Sequence, residues 1–176
     1  MKRLLFISSL VALPHLASAQ TTTATFLDYK TTVPVGWTSR TPSSNMRLAE
    51  YVVPGADAAS GAEVVVYFFG QGQGGNVAAN LARWKGQFST PDGSPVPEVV
   101  TRDSTGKFPV TFAEYRGTYA RGVGAGDASQ AKPGQMLIAG IAETPRGTIF
   151  VQLFGPAERV ARAREEFKTF VRGLAK

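Results

Sequence analysis

Residues 135–174 read QMLIAGIAETPRGTIFVQLFGPAERVARAREEFKTFVRGL. Two runs rich in apolar and β-branched side chains, 135–143 and 148–154, flank Thr144-Pro145-Arg146-Gly147, which has the composition of a hairpin turn. At Gly155-Pro156 the period changes. Proline suits a first helical position, and Glu158 falls in the first turn, where a carboxylate complements the positive end of the helix dipole. Val160, Ala163, Phe167, Phe170, Val171 and Leu174 then form one apolar stripe. A strand hairpin feeding a one-sided helix buries that stripe only by laying the helix on the sheet. The fold class that follows is α+β, an antiparallel sheet carrying helices.

The rest of the chain extends this pattern in both layers. Strands are expected over 26–33, 46–53, 63–69, 98–104 and 109–121, with 63–69 the most buried. Pro34-Val35-Gly36-Trp37 closes the first of them, and Trp37 should fold back as a core plug. A second helix is expected over 76–88, where Val77, Leu81, Trp84 and Phe88 recur at helical spacing opposite Asn80, Arg83 and Gln87. Residues 20–25 read as a loosely ordered polar lead-in, 90–97 as a loop and 122–134 as a mobile, small-residue loop. The expectation is one domain over 20–176, a sheet of about six to seven strands packed with two main helices.

Residues 1–19 have the three parts of a secretory signal peptide: Lys2 and Arg3, an apolar run over 4–16, and Ala17-Ser18-Ala19 before Gln20. That run is shorter than the roughly 20 apolar residues a membrane span requires. No cysteine follows the cleavage site to take a lipid, and Lys2-Arg3 is not a twin-arginine signal. The expected product is periplasmic or secreted, without a transmembrane span.

The only histidine is His15, inside this segment, and the chain has no cysteine. The mature protein is therefore expected to lack imidazole and thiol. That excludes Ser-His-Asp and Cys-His catalysis, His- or Cys-ligated metals and a histidine pH switch. No cofactor is expected. Losing Lys2 and Arg3 lowers the formal charge from +6 to +4, and no concentrated basic, aromatic face points to nucleic acid.

Gly70-Gln71-Gly72-Gln73-Gly74-Gly75 formally matches the dinucleotide fingerprint, following a strand and opening a helix. The context is wrong, because the acid at the required distance, Asp92, lies in a loop and not at a strand end. No Lys-Ser or Lys-Thr follows, so it is not a P-loop. Two readings of the loop remain open. Its backbone N–H groups with Gln71, Gln73, Gly74, Asn76 and Asn80 form a ligand-binding cluster for a carboxylate, a sugar or a peptide backbone. Alternatively, the glycines only turn the chain and let the helix pack closely.

Asp57, Glu63, Asp92, Glu98, Asp103, Glu114, Asp127 and Glu143 are the remaining acid–base candidates, and no spacing pairs two of them as a glycosidase requires. Surface solvation accounts for most. Mid-strand Arg47, Glu50, Glu114 and Arg116 are expected in cross-strand ion pairs. Arg164, Lys168, Arg172 and Lys176 recur every four residues along the last helix, and read as a solvated face or a docking surface for an acidic partner or anionic lipid.

The 34–37 turn after a first strand, the helix after the third strand, and the closing hairpin running into Gly155-Pro156 together resemble the PsbP-like fold. Residues 43–51 (SSNMRLAEY), 70–75 (GQGQGG) and 80–88 (NLARWKGQF) are similar to an uncharacterised family of exported bacterial proteins. The resemblance implies an α/β/α sandwich and a non-catalytic accessory or binding role. It carries no catalytic residue. The expected function is thus an exported, non-enzymatic protein that binds an envelope protein or a small ligand. A carboxylate-dependent envelope hydrolase is the alternative.

Overall fold

The computed structural model describes residues 22–57, 59–120 and 131–175. The expected signal peptide, Asp127, Lys176 and most of the expected 122–134 loop lie outside them. Ten strands and three helices follow in chain order: β1 (Thr22–Phe26), β2 (Tyr29–Val33), β3 (Thr38–Arg40), β4 (Arg47–Val53), β5 (Ala62–Phe68), α1 (Val77–Lys85), β6 (Phe88–Ser89), β7 (Glu98–Asp103), β8 (Val110–Tyr119), β9 (Lys132–Thr144), β10 (Gly147–Pro156), α2 (Ala157–Arg162) and α3 (Arg164–Arg172). β1 and β2 make a separate hairpin. The other eight form one antiparallel sheet ordered β3-β4-β5-β10-β9-β8, with β6 and β7 both pairing with β8. β7 takes residues 110–115 of β8 and β6 takes 118–119.

Strand alternation sends side chains to two cores. Val64 and Val66 of β5, Met136 and Ile138 of β9, Ile149, Val151 and Leu153 of β10 and Phe112 of β8 face α2, α3 and the β1–β2 hairpin. Ala113, Tyr115, Leu137, Ala139, Ile141 and Phe150 face the other way, toward Trp84 of α1 and Phe88. This is an α/β/α sandwich with unequal layers. Gly140 allows the closest approach: a Cβ there would stand 3.1 Å from Val171 Cγ1 and 3.2 Å from Phe112 Cε1.

The closing hairpin is as expected, with Pro145 and Arg146 between β9 and β10. Several expectations are corrected. Residues 26–33 are not one strand, because the chain reverses at Leu27-Asp28 and the polar lead-in becomes β1. Leu27 has φ 56°, a conformation for which a leucine gives no sequence signal. The most buried strand is β9, whose run 136–142 is wholly buried, since it lies between β8 and β10 under both helical layers. The last helix is two. Ala163, at φ −87° and ψ 0°, breaks it, and Pro156 is its N-cap, one position before the first helical residue. The apolar stripe nevertheless continues across the break, with Val160, Ala163, Phe167, Phe170, Val171 and Leu174 all buried. The first helix stops at Lys85, capped by Gly86, and Phe88 passes into β6. No helix among the described residues is long and apolar enough to cross a membrane.

Candidate functional site

The Gly-rich loop joins the end of β5 to α1 along the thinner layer. Gly70, Gly72, Gly74 and Gly75 all have positive φ, which explains the run of glycines. At Gly74 (φ 89°) a Cβ would stand 2.7 Å from Phe150 Cε2 and 2.9 Å from Phe69 Cδ2, so this residue also lets the loop press on the sheet. Beside it lies a groove of about 550 Å³ lined by Phe69, Gln73, Gly74, Gly75, Ala79, Asn80 and Arg83.

Of the predicted residues, Gln73, Gly74 and Asn80 line this groove, whereas Gln71, which lies against Gly147 of the β9–β10 turn, and Asn76 do not; by their bonding the five divide into two kinds. Asn76 is the N-cap of α1, accepting from the Ala79 backbone N–H at 2.8 Å. Asn80 is buried and committed: its Nδ2 donates to Gly74 O (2.8 Å) and Asn76 O (2.9 Å), while its Oδ1 accepts from Arg83 Nη2 (2.6 Å). These two asparagines hold the loop on the helix. The Gln71 and Gln73 side chains are exposed and bond to nothing among the described residues. The backbone N–H groups of Gly72, Gly74 and Gly75 likewise donate to no described group, whereas that of Gln73 donates to Gly70 O at 3.1 Å. Arg83, Phe69 and Ala79 are additions the sequence reading missed. Arg83 follows Asn80 by one helical turn, a spacing that could have flagged it.

A second groove, of about 690 Å³, lies between β2 and α3, where Lys30, Pro34, Val35, Glu165, Glu166 and Phe170 are among its lining residues. Part of its polar rim is already engaged. Thr31 donates to Phe170 O at 2.6 Å, and Trp37 Nε1 donates to Glu166 at 3.4 Å.

Glu50 and several of the carboxylates proposed as acid–base groups are engaged elsewhere. Glu50 is buried, and a hydrogen bond from the Ser43 backbone N–H, with others from the Ser43 hydroxyl and Arg47, lowers its pKa to about 2 against the cost of burial. Asp103 is lowered to about 2, chiefly by the Thr105 hydroxyl and backbone N–H and then by Arg172. Burial pushes Glu114 up, but hydrogen bonds from Arg164 and Lys168 overrule it and hold the carboxyl below its ordinary range. Glu98 is lowered first by Lys85.

These contacts also correct the reading of the basic stripe. Arg164 (2.9 Å) and Lys168 (3.0 Å) both reach Glu114, and Arg172 reaches Asp103 at 2.6 Å. Lys168 and Arg172 further lie over the Phe112 ring. Those three cations fasten α3 to the sheet, in place of the freely solvated face expected. The cross-strand pairing expected of the mid-strand charges is met only by Glu50, which Arg40 of the neighbouring β3 approaches at 3.9 Å; the others pair elsewhere, Glu114 to α3, Arg116 to Glu158 of α2, and Arg47 to Glu50 within β4.

No protein-family model and no curated protein matches the chain. Solved structures do. Cyanobacterial PsbP (CyanoP) from Synechocystis sp. PCC 6803 superposes with a TM-score of 0.54 at 14% identity, covering 94% of this chain and 98% of that one. The fold is PsbP-like. LpqN, described as involved in cell envelope biogenesis of Mycobacterium tuberculosis, superposes with a TM-score of 0.55, also at 14% identity, covering 89% of this chain and 90% of that one. Similarity at this identity concerns the PsbP-like architecture, and the site must be argued from its own residues.

Proposed function

We propose that this is an exported, non-catalytic accessory protein that binds an acceptor-bearing partner or small ligand at the groove beside the Gly-rich loop. The observation that carries the reading is the concentration of unengaged donors there. The Gly74 and Gly75 N–H groups and the Gln73 amide line the groove with Arg83, and the Gly72 N–H and the Gln71 amide lie further along the same loop. Such a surface suits a carboxylate, a sugar hydroxyl or the carbonyls of an extended peptide. The hydrolase alternative loses support from the electrostatics. A general acid working near neutral pH needs a raised pKa, and Glu50, Glu98, Asp103 and Glu114 are all shifted downward. Export rests on the signal-like composition of residues 1–19 and accords with the envelope role described for LpqN.

The test is capture from envelope extract on immobilised wild type and on Gln71→Ala and Gln73→Ala, with cell fractionation alongside. Each amide that is a direct contact should contribute about 0.5–1.5 kcal/mol of affinity. A partner retained by wild type and weakened by both variants is the expected result. Equal capture by all three proteins makes the loop only a turn. Recovery of the protein in the cytoplasm removes the exported role.

A further inference from the structure

The two ends of the eight-stranded sheet are not alike. At one end β3 has three residues, a short edge of the kind that discourages strand addition. At the other, β7 runs for six residues, Glu98–Asp103, and pairs with β8 on one side only. Its outward backbone groups bond to nothing among the described residues. Val99 and Val100 are consecutive on this edge and project to opposite faces of the sheet, 55% and 45% exposed, two of the few large apolar side chains left in water among the described residues.

We infer that β7 is a self-association edge, and that its occupant is β7 of a second copy of this chain, added antiparallel about a two-fold axis at Val100. The charge pattern selects both the partner and the register. With Val100 opposite its own symmetry mate, Glu98 stands opposite Arg102 and Val99 opposite Thr101. One face then carries an apolar centre flanked by two opposite-charge pairs. Because only alternate residues of β7 turn their N–H and C=O outward, the competing registers move the axis by one whole residue: at Val99 it sets Glu98 opposite Val100, and at Thr101 it sets Arg102 opposite Val100, so neither pairs Glu98 with Arg102. The flanking groups fit the same arrangement. Glu98 already bonds Lys85 at 2.8 Å and Arg102 bonds Glu143 at 3.0 Å, so each pair across the axis joins a four-charge network. Because a six-residue strand is only about 20 Å long, the contact is small and the dimer is weak and concentration-dependent.

The chain has no cysteine, so single-cysteine variants report the register directly. Val100→Cys, oxidised at high protein concentration, should give a disulfide dimer at least about tenfold faster than Val99→Cys, whose symmetry mate lies two positions out of register. Sedimentation of the wild type should show a dimer building up below about 1 mM. Glu98→Arg and Arg102→Glu should each weaken it, and the double exchange should restore it, with circular dichroism melting used to check that each variant is folded. A wild type that stays monomeric throughout overturns the inference. So does equal crosslinking of the two cysteine variants, or dimerisation indifferent to both charge reversals; capture of a different chain's strand in place of its own would do the same.

Discussion

The two faces of the sheet are built to different standards. On the α2–α3 face, Phe170 packs against Phe26, Trp37 and Tyr51, and a row of ion pairs bolts the helix down at its outer side. On the α1 face, one nine-residue helix is held chiefly by Trp84 against Phe150 and by the Tyr115 hydroxyl donating to Leu81 O at 3.1 Å. The first face ties its helices down with ion pairs, although the buried Tyr29 hydroxyl and Arg159 Nε there have no hydrogen-bond partner among the described residues. The second leaves glutamine amides and glycine N–H groups unengaged beside a groove. On the proposed function, stability and recognition are separated onto opposite sides, and a loop whose anchors are themselves polar can present donors without weakening the main core.

The sharpest way to break this comparison is to truncate one anchor on each face. Phe170→Ala should cost about 3–5 kcal/mol in urea unfolding, and the loss should be global. Trp84→Ala should fall near the lower end of the same range, about 3 kcal/mol, with hydrogen exchange showing the α1 amides opening before those of α3. Equal loss of protection in both helices would make the faces one cooperative unit.

Glu114 tests whether the basic stripe holds α3. Glu114→Gln leaves Arg164 and Lys168 facing each other without their carboxylate and should cost about 2 kcal/mol, reduced from a fully buried pair because Arg164 is partly exposed. Lys168→Ala should cost about 1 kcal/mol, whereas Arg146→Ala, paired with Asp28 in the open, should stay within about 0.5 kcal/mol. If Lys168 behaves like Arg146, the stripe is a solvated face after all.

On the opposite face the asparagine and glutamine side chains should separate. Asn80→Ala deprives Gly74 O and Asn76 O of a donor and should cost about 1–2 kcal/mol. Gln73→Ala should change stability by no more than about 0.5 kcal/mol. A reversed order would mean that Gln73 holds the loop.

The smallest contrast is in pH. Glu50 and Asp103 have folded-state values near 2, below their ordinary 4.5 and 3.8. Their stabilisation is complete above those ordinary values and is lost as pH falls toward 2. Denaturation midpoints should therefore decline below about pH 4.5, less steeply in Glu50→Gln, and stay nearly level between about pH 6 and 8, since His15 is the only histidine. A midpoint that falls between pH 8 and 6 would place an unrecognised titrating group in the core.

The sequence by itself determined the α+β class, the closing hairpin, the apolar stripe of the last helix, the absence of cysteine and the confinement of histidine to position 15. Each of these is local: alternation, helical spacing, turn composition or a missing residue type can be read within a few positions. It also brought Gln71, Gln73, Gly74, Asn76 and Asn80 together, because they lie within one short segment. Tertiary structure alone decided what those side chains do. Asn80 and Gln73 have similar amides, and only burial beneath Gly74 commits one and exposes the other. The same holds for Arg164 and Lys168, whose partner Glu114 is 50 residues away for Arg164 and on a different element. The turn at Leu27-Asp28 and the break at Ala163 carry no residue signal because packing imposes them. Periodicity tells which side of an element is apolar; which polar groups the opposite element will meet depends on register and contact, and these exist only in the folded chain.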